Sequence, residues 1–422
     1  MSIMSGILNR RRFLQSALAT GVSLRHMTQT FAQNAPLLDR GRLIVVFLRG
    51  AYDGLSAFVP YSDPYYAELR RNTRIPYPDG SMQSTIRLDD TFGLHPSLAP
   101  LLPLWQEGSL TFVPACGLPA PIRSHFEAQH QCEIGIPGKN SEATGWLNRL
   151  ATLEVSRRRD QRLIGIGEAN PRILAGQANA RLIARGRSAM QTGLMANDRT
   201  REALLALYSG NDALSQAFRQ GADSRLRTAR ELNQDTAPAS REMMAANNGA
   251  GDVAGLTLDA LHLGTLMRAD PHLRLGFLSA GGWDTHANQG SVQGQLASRL
   301  RNLALALVQL RENFNAPEDM IIVMSEFGRT CAENGSSGTD HGHGNALWII
   351  GDGVEGGRWH GRWSGLAPNQ LHQQRDLPVH HDFRNVLTQL LAKHFKLSDS
   401  HLQEVFPGAQ WDSSLDGLTR SA

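Results

Sequence analysis

Apolar runs alternate with amphipathic stretches along this chain, a pattern that predicts an α/β sheet covered by helices on both faces. Leu43-Ile44-Val45-Val46-Phe47-Leu48 is apolar throughout, as a strand buried on both sides should be, and Arg49-Gly50-Ala51-Tyr52-Asp53-Gly54 is the loop at its carboxyl end. Leu98 to Glu107 reads as a helix, Leu110 to Val113 as a second strand, and Arg123 to Cys132 opens another helix. Leu163 to Ile166 is a short strand. From Arg199 to Met267 helical periodicity takes over, broken by polar stretches at Asn233 to Ala245 and Asn247 to Asp252, so this region is expected to form a helical insertion or cap. Leu273 to Leu278 returns to strand, and Val292 to Phe314 is a long helix. Met320 to Met324 is the clearest strand, Ala346 to Ile350 another, and Phe383 to Phe395 a late amphipathic helix. No repeat of fixed period is visible.

The first 32 residues do not fit this pattern. Asn9-Arg10-Arg11-Arg12-Phe13-Leu14-Gln15 precedes a weakly apolar run from Ser16 to Leu24 and then small residues near Ala32, which reads as a twin-arginine export signal cleaved after Ala32. A basic amphipathic helix is the alternative. Export by this route implies the translocase as a transient partner, a periplasmic or otherwise exported location, and passage of an already folded chain. No later segment approaches the ~20 uninterrupted apolar residues of a membrane span. Residues 33–422 are long enough for one large α/β domain.

Composition narrows the chemistry. Lys and Arg number 42 against 39 Asp and Glu, with the Arg excess scattered or placed in the signal and in Arg157-Arg158-Arg159, which disfavours nucleic acid binding. Cys116, Cys132 and Cys331 form no metal-binding spacing; Cys116 and Cys132 are open to pairing in an oxidising compartment, and buried free thiols fit equally well.

Acids and imidazoles gather in the loops. Asp53, Asp284-Thr285-His286, Glu326 and Asp340-His341-Gly342-His343 each follow a strand-like or Gly-rich stretch, where ligands of open α/β sheets sit. Carboxylate oxygen and imidazole nitrogen suit divalent zinc or manganese, one ion or two, and such an ion polarises a phosphoryl or sulfuryl oxygen. A lone Asp after a strand is often a turn or cap residue, and a Gly-rich loop often holds solvent-facing histidines; the recurrence over several loops favours a metal. Ser124 is the candidate nucleophile. Ser124-His125-Phe126-Glu127 is also a capping box in form, and the readings coexist, because a helix N-terminus stabilises an oxyanion. Arg123 and Arg329 are candidates for gripping substrate oxygens, with surface or helix-end pairing as the alternative. Trp283 reads as a core or rim aromatic, and His95, His380 and His381 as turn or helix-start residues.

Arg49-Gly50-Ala51-Tyr52-Asp53-Gly54, Arg123-Ser124-His125-Phe126, Gly282-Trp283-Asp284-Thr285-His286, Ser325-Glu326-Phe327-Gly328-Arg329-Thr330 and Gly338-Thr339-Asp340-His341-Gly342, behind a twin-arginine signal, resemble the domain of unknown function 1501 family of bacterial exported proteins. That family is similar, more distantly, to the alkaline phosphatase and sulfatase superfamily, which uses one or two metals and a Ser, Thr or modified Cys nucleophile on a doubly wound sheet. The resemblance implies that Asp53 and Glu326 hold one ion, that Asp284, His286 and His341 or His343 hold another, and that Ser124 attacks a small anionic phosphate or sulfate ester. Two departures stand out: Asp284 and His286 are closer together than the superfamily's pair, and Phe327 stands where a histidine is expected beside the acid. Asp340-His341-Gly342 is itself a candidate for that Asp-His-Gly motif, which would place Glu326 behind the ligands. The expected function is an exported metal-dependent ester hydrolase; the alternative is a noncatalytic scaffold of the same fold for periplasmic assembly or partner binding.

Overall fold

The computed structural model describes residues 41–420 apart from residue 137 and residues 139–143, 154–161, 169, 191–197, 234–249 and 251. The expected export signal, the run Arg157–Arg159 and the polar break at 234–249 lie outside the described residues.

The fold is built on an eight-stranded mixed sheet. Its strands are β1 (Arg42–Leu48), β5 (Leu110–Gly117), β6 (Leu163–Ile166), β7 (Ala180–Ile183), β8 (Leu275–Ala280), β9 (Asp319–Met324), β10 (Asn345–Ile350) and the two-residue β11 (His381–Asp382). The remaining three, β2 (Phe58–Val59), β3 (Ile86–Arg87) and β4 (Gly93–Leu94), form a small separate sheet. Strand order in the large sheet is β11-β5-β10-β9-β1-β8-β6-β7, so β1 is central. Side chains of β1 alternate between two cores: Leu43, Val45 and Phe47 join one, Ile44, Val46 and Leu48 the other. The helices Leu256–Ala269 and Gln295–Asn313 cover the second face, while Trp146–Thr152, Phe383–His394 and the inner side of His125–Ile134 cover the first. An all-apolar β1 is what a strand covered on both faces requires.

Directions decide where the loops meet. β1 runs parallel to β8 and β9, whereas β10 is antiparallel to both β9 and β5. The start of β10 therefore lies at the sheet edge where β1, β5, β8 and β9 end, and the Gly-rich loop before it reaches the loops that follow those strands.

Several predicted elements shift. The helix expected over Leu98 to Glu107 is a 3-10 segment, Pro96–Leu101, followed by a short α-helix, Leu102–Gln106, because Pro100 and Pro103 remove backbone donors. Within the expected cap at 199–267, Leu256–Ala269 is a helix of the main core, whereas among the described residues Asp198–Leu207 and Ala213–Asn233 contribute nothing to that core. All three cysteines are free and buried. No helix among the described residues is long and apolar enough to cross a membrane.

Candidate metal centre

The loop after β8 is anchored by Trp283, fully buried, whose indole nitrogen donates to the carbonyl of Ala280 at 3.1 Å. Beside it Gly50, at φ 113°, lets the β1 loop approach so closely that a Cβ there would stand 2.8 Å from the amide nitrogen of Asp284. The segments 328–330 and 340–343 pair as a ribbon through Gly328 N to His343 O (2.8 Å), Gly342 N to Gly328 O (2.8 Å) and Thr330 N to Asp340 O (2.9 Å). Thr339 N donates to Thr285 O at 3.1 Å, which stitches that ribbon to the β8 loop. Asp284, His286, Arg329 and His341 are thereby brought together.

Oδ1 of Asp284 is the focus. It lies 3.4 Å from Nε2 of His125, 2.9 Å from Nε2 of His286, 3.2 Å from Nε2 of His341 and 2.5 Å from a guanidinium nitrogen of Arg329. The Nε2 atoms of His286 and His341 are 3.0 Å apart. His125, Asp284 and His341 each offer a ligand atom within 4.8 Å of the others. Donors bound tetrahedrally at the Zn–N distance of ~2.0–2.1 Å would sit roughly 3.3 Å apart, close to this spacing.

Each imidazole is oriented by an oxygen at its other nitrogen. Nδ1 of His125 faces Glu326 at 2.7 Å, Nδ1 of His286 faces Asp340 at 3.0 Å, and Nδ1 of His341 faces the backbone carbonyl of Arg123 at 2.8 Å. Carboxylates and carbonyls only accept, so each Nδ1 carries a proton and each ring turns its Nε2 toward Asp284. Nitrogens facing a carboxylate at these distances need a cation between them, a proton or a metal ion. Nε2 of His125 is buried and reaches Asp284 only at a long 3.4 Å, so the residues present fit a divalent ion with a carboxylate or carbonyl behind every histidine.

Without an ion the charges lean the same way. Burial lowers the basicity of His125, but the hydrogen bonds it donates to the Asp284 and Glu326 carboxylates outweigh it and raise its pKa to about 9. Burial also opposes ionisation of Asp284, yet His125, His341 and Arg329 hold its carboxyl far below the usual range. The centre is open to solvent: the side chain of Asp284 is 39% exposed and that of His286 45%.

The predicted residues separate into two groups. Asp284, His286 and His341 face one another, and Asp340 backs His286. Asp53 is instead bound by the buried Arg70 at 2.5 and 3.0 Å, by Ser56 at 2.7 Å and by Gln289 at 2.6 Å. Glu326 accepts from Gly50 N, Gln129 and Ser325 and reaches the centre through His125. The expected ion shared by Asp53 and Glu326 thus gives way to two internally satisfied carboxylates. His343 is buried with its ring 4.9 Å from that of His372, and burial pulls its pKa down to about 4. Arg123 pairs with Asp376 at 2.6 Å, and Arg329 holds Asp284 and Thr339. Ser124 is an exposed N-cap whose Oγ accepts from Glu127 N at 3.5 Å. His125 was not among the expected ligands; its signal was its place beside Ser124, at the start of the helix His125–Ile134 that begins at the ligand edge. Phe327, where a histidine was expected, stacks 4.9 Å from the His125 ring and walls the site.

The family model described as "Protein of unknown function (DUF1501)" matches residues 40–406. The chain belongs to this family. A search of curated proteins finds no match to this member. Among solved structures it is similar to Ps i-CgsB, solved in complex with k-i-k-neocarrahexaose (11% identity, TM-score 0.37, 85% of this chain and 73% of that one). It is also similar to alkaline phosphatase from the Antarctic bacterium TAB5 (12% identity, TM-score 0.32, 76% of this chain and 93% of that one). Likeness at this level says nothing about chemistry at the site.

Proposed function

We propose that this protein is an exported hydrolase of small phosphate or sulfate esters that depends on one divalent ion, zinc or manganese, held by His125, Asp284 and His341, with Ser124 as nucleophile. The observation that supports it most is the convergence of three imidazole Nε2 atoms on one carboxylate oxygen, each ring fixed from behind. A divalent ion supplies Lewis-acid stabilisation of a substrate oxygen and lowers the pKa of an attacking hydroxyl. Ser124 precedes His125 in the chain and is exposed at the N-terminus of a ten-residue helix, whose free amide groups favour an anion. Its Oγ forms the bond to phosphorus or sulfur, the bond to the leaving alcohol breaks, and the hydroxyl proton departs with that alcohol. Water then cleaves the serine ester and restores the hydroxyl. Phe327 restricts water on one side of the rings, and Arg329 keeps Asp284 in place.

A second reading has its own observation. Nε2 of His286 approaches both Asp284 and His341, and as a fourth donor it would leave a bound ion no open position, the mark of a structural ion in a noncatalytic scaffold. Metal analysis of protein purified from the periplasm, followed by turnover of aryl phosphates, phosphodiesters and aryl sulfates, separates the two. Hydrolysis that chelation and Ser124→Ala both abolish is expected. Metal-loaded protein that turns over none of these esters would leave the scaffold. Export by the twin-arginine route belongs to the same proposal, and replacing Arg10 and Arg11 by lysine is expected to retain the protein in the cytoplasm; export undiminished by the replacement would defeat that part.

A further inference from the structure

The helix His125–Ile134 carries a polar stripe at helical spacing, His125, Gln129 and Glu133, and the last two are buried. A buried Arg49 lies alongside. Its guanidinium donates to Glu168 at 2.6 and 2.9 Å, contacts Glu133 at 2.8 Å and donates to the amide oxygen of Gln129 at 2.9 Å. The amide nitrogen of Gln129 then donates to Oε1 of Glu326 at 3.0 Å, the same oxygen that faces Nδ1 of His125 at 2.7 Å. Guanidinium is donor-only, so Arg49 dictates which end of the Gln129 amide faces Glu326. A donor there leaves Glu326 as the acceptor for the Nδ1 proton of His125, and the ring is held with Nε2 turned toward Asp284.

Cohesion alone does not require this arrangement. Ala128, Cys132 and Ile134 already pack the helix into the core, and a buried train of Arg, Glu and Gln is costly relative to apolar residues of similar volume. The train is continuous with the metal centre and ends on one of its ligands.

We propose that Gln129, with its amide set by Arg49, is a positioning residue for the metal centre, controlling the orientation and tautomer of His125 through Glu326. This rests on the metal reading given above. It assigns a role to two side chains that touch neither the ion nor a substrate.

The test uses the full protein stripped of metal, titrated with Zn2+ against a chromophoric chelator and with Co2+ followed by its visible d–d absorption. Gln129→Glu keeps an acceptor for Arg49 but presents oxygen to Glu326, and Gln129→Leu removes both contacts. Both variants are expected to bind Zn2+ about 10–100-fold more weakly, the usual cost of losing an outer contact, with an altered Co2+ spectrum. The melting temperature of each apoprotein reports folding separately; should Gln129→Leu fail to fold, the near-isosteric Gln129→Glu decides. Variant affinity within twofold of wild type, with an unchanged Co2+ spectrum, overturns the positioning role even if the melting temperature falls. Failure of the wild type to take up Zn2+ or Co2+ overturns the metal reading itself, and is seen before any variant is made.

Discussion

Asp53 and Asp284 both follow a parallel strand at the same edge of the sheet, and their surroundings are opposite. Asp53 is 1% exposed and saturated by Arg70, Ser56 and Gln289; Asp284 is open to solvent and faced by three imidazole nitrogens together with Arg329. The first is a closed structural knot, for Arg70 also donates to the carbonyls of Thr330 and Cys331 and so ties three loops together. The second is an exposed carboxylate on which three imidazole Nε2 atoms converge. Both acids have a guanidinium partner, Arg70 for Asp53 and Arg329 for Asp284; the difference is that Asp53 is sealed by further donors while Asp284 keeps an exposed side facing imidazoles.

The largest effect that would break this contrast is loss of a ligand. Asp284→Asn or His341→Ala should weaken Zn2+ binding by more than the ~10–100-fold typical of an outer contact, while Asp53→Asn leaves the affinity of the folded protein unchanged. Calorimetric titration of the three variants checks it, and equal losses would erase the distinction.

Arg70→Met probes the other side. It leaves the Asp53 carboxylate buried and unpaired, so unfolding free energy should fall by ~3–5 kcal/mol in a denaturant titration, with little change in metal affinity per folded molecule.

A pH experiment sharpens the same point. Burial raises the Asp53 carboxyl, but the charge and hydrogen bonds of Arg70 hold it below its ordinary range. A depressed folded pKa contributes stability above the unfolded value of about 3.9, and that stability is lost as pH falls through the folded value. The wild type should therefore lose stability on the acid side, and Asp53→Asn should show a flatter acid limb in denaturant titrations run at several pH values.

His286→Ala asks whether three donors or four hold the ion. Retention of metal with turnover marks a three-ligand centre with an open position; loss of metal with unchanged lack of turnover marks the closed structural ion. Ser124→Ala is expected to have the smallest effect on stability, about 1 kcal/mol for a lost helix cap, read from thermal unfolding, while abolishing ester hydrolysis.

Much of this was legible in the chain. Strands β1, β6, β9 and β10 fall within a residue or so of their apolar runs, because an apolar stretch of strand length needs no partner to be recognised. Asp284, His286, Asp340 and His341 were also visible as loop acids and imidazoles around a Gly-rich turn. The small three-stranded sheet and β7 were not: two-residue strands leave no period to read, and the four residues of β7, interrupted by Arg181, lack the uncharged run that marks β6. His125 was hidden by a plausible local role: next to an N-cap serine, a histidine reads as part of the helix start.

Local order thus determined the α/β class, the strand ends and the types of side chain gathered there, because periodicity and turn chemistry are properties of neighbouring residues. Tertiary structure alone decided which of those side chains face one another. Asp53 is neutralised by an arginine 17 positions away and a glutamine 236 positions away, and the reversal of β10 carries His341 to a helix that begins 216 residues earlier, at His125. Charge compensation acts through space, and no pattern along the chain records which distant partner the fold will supply.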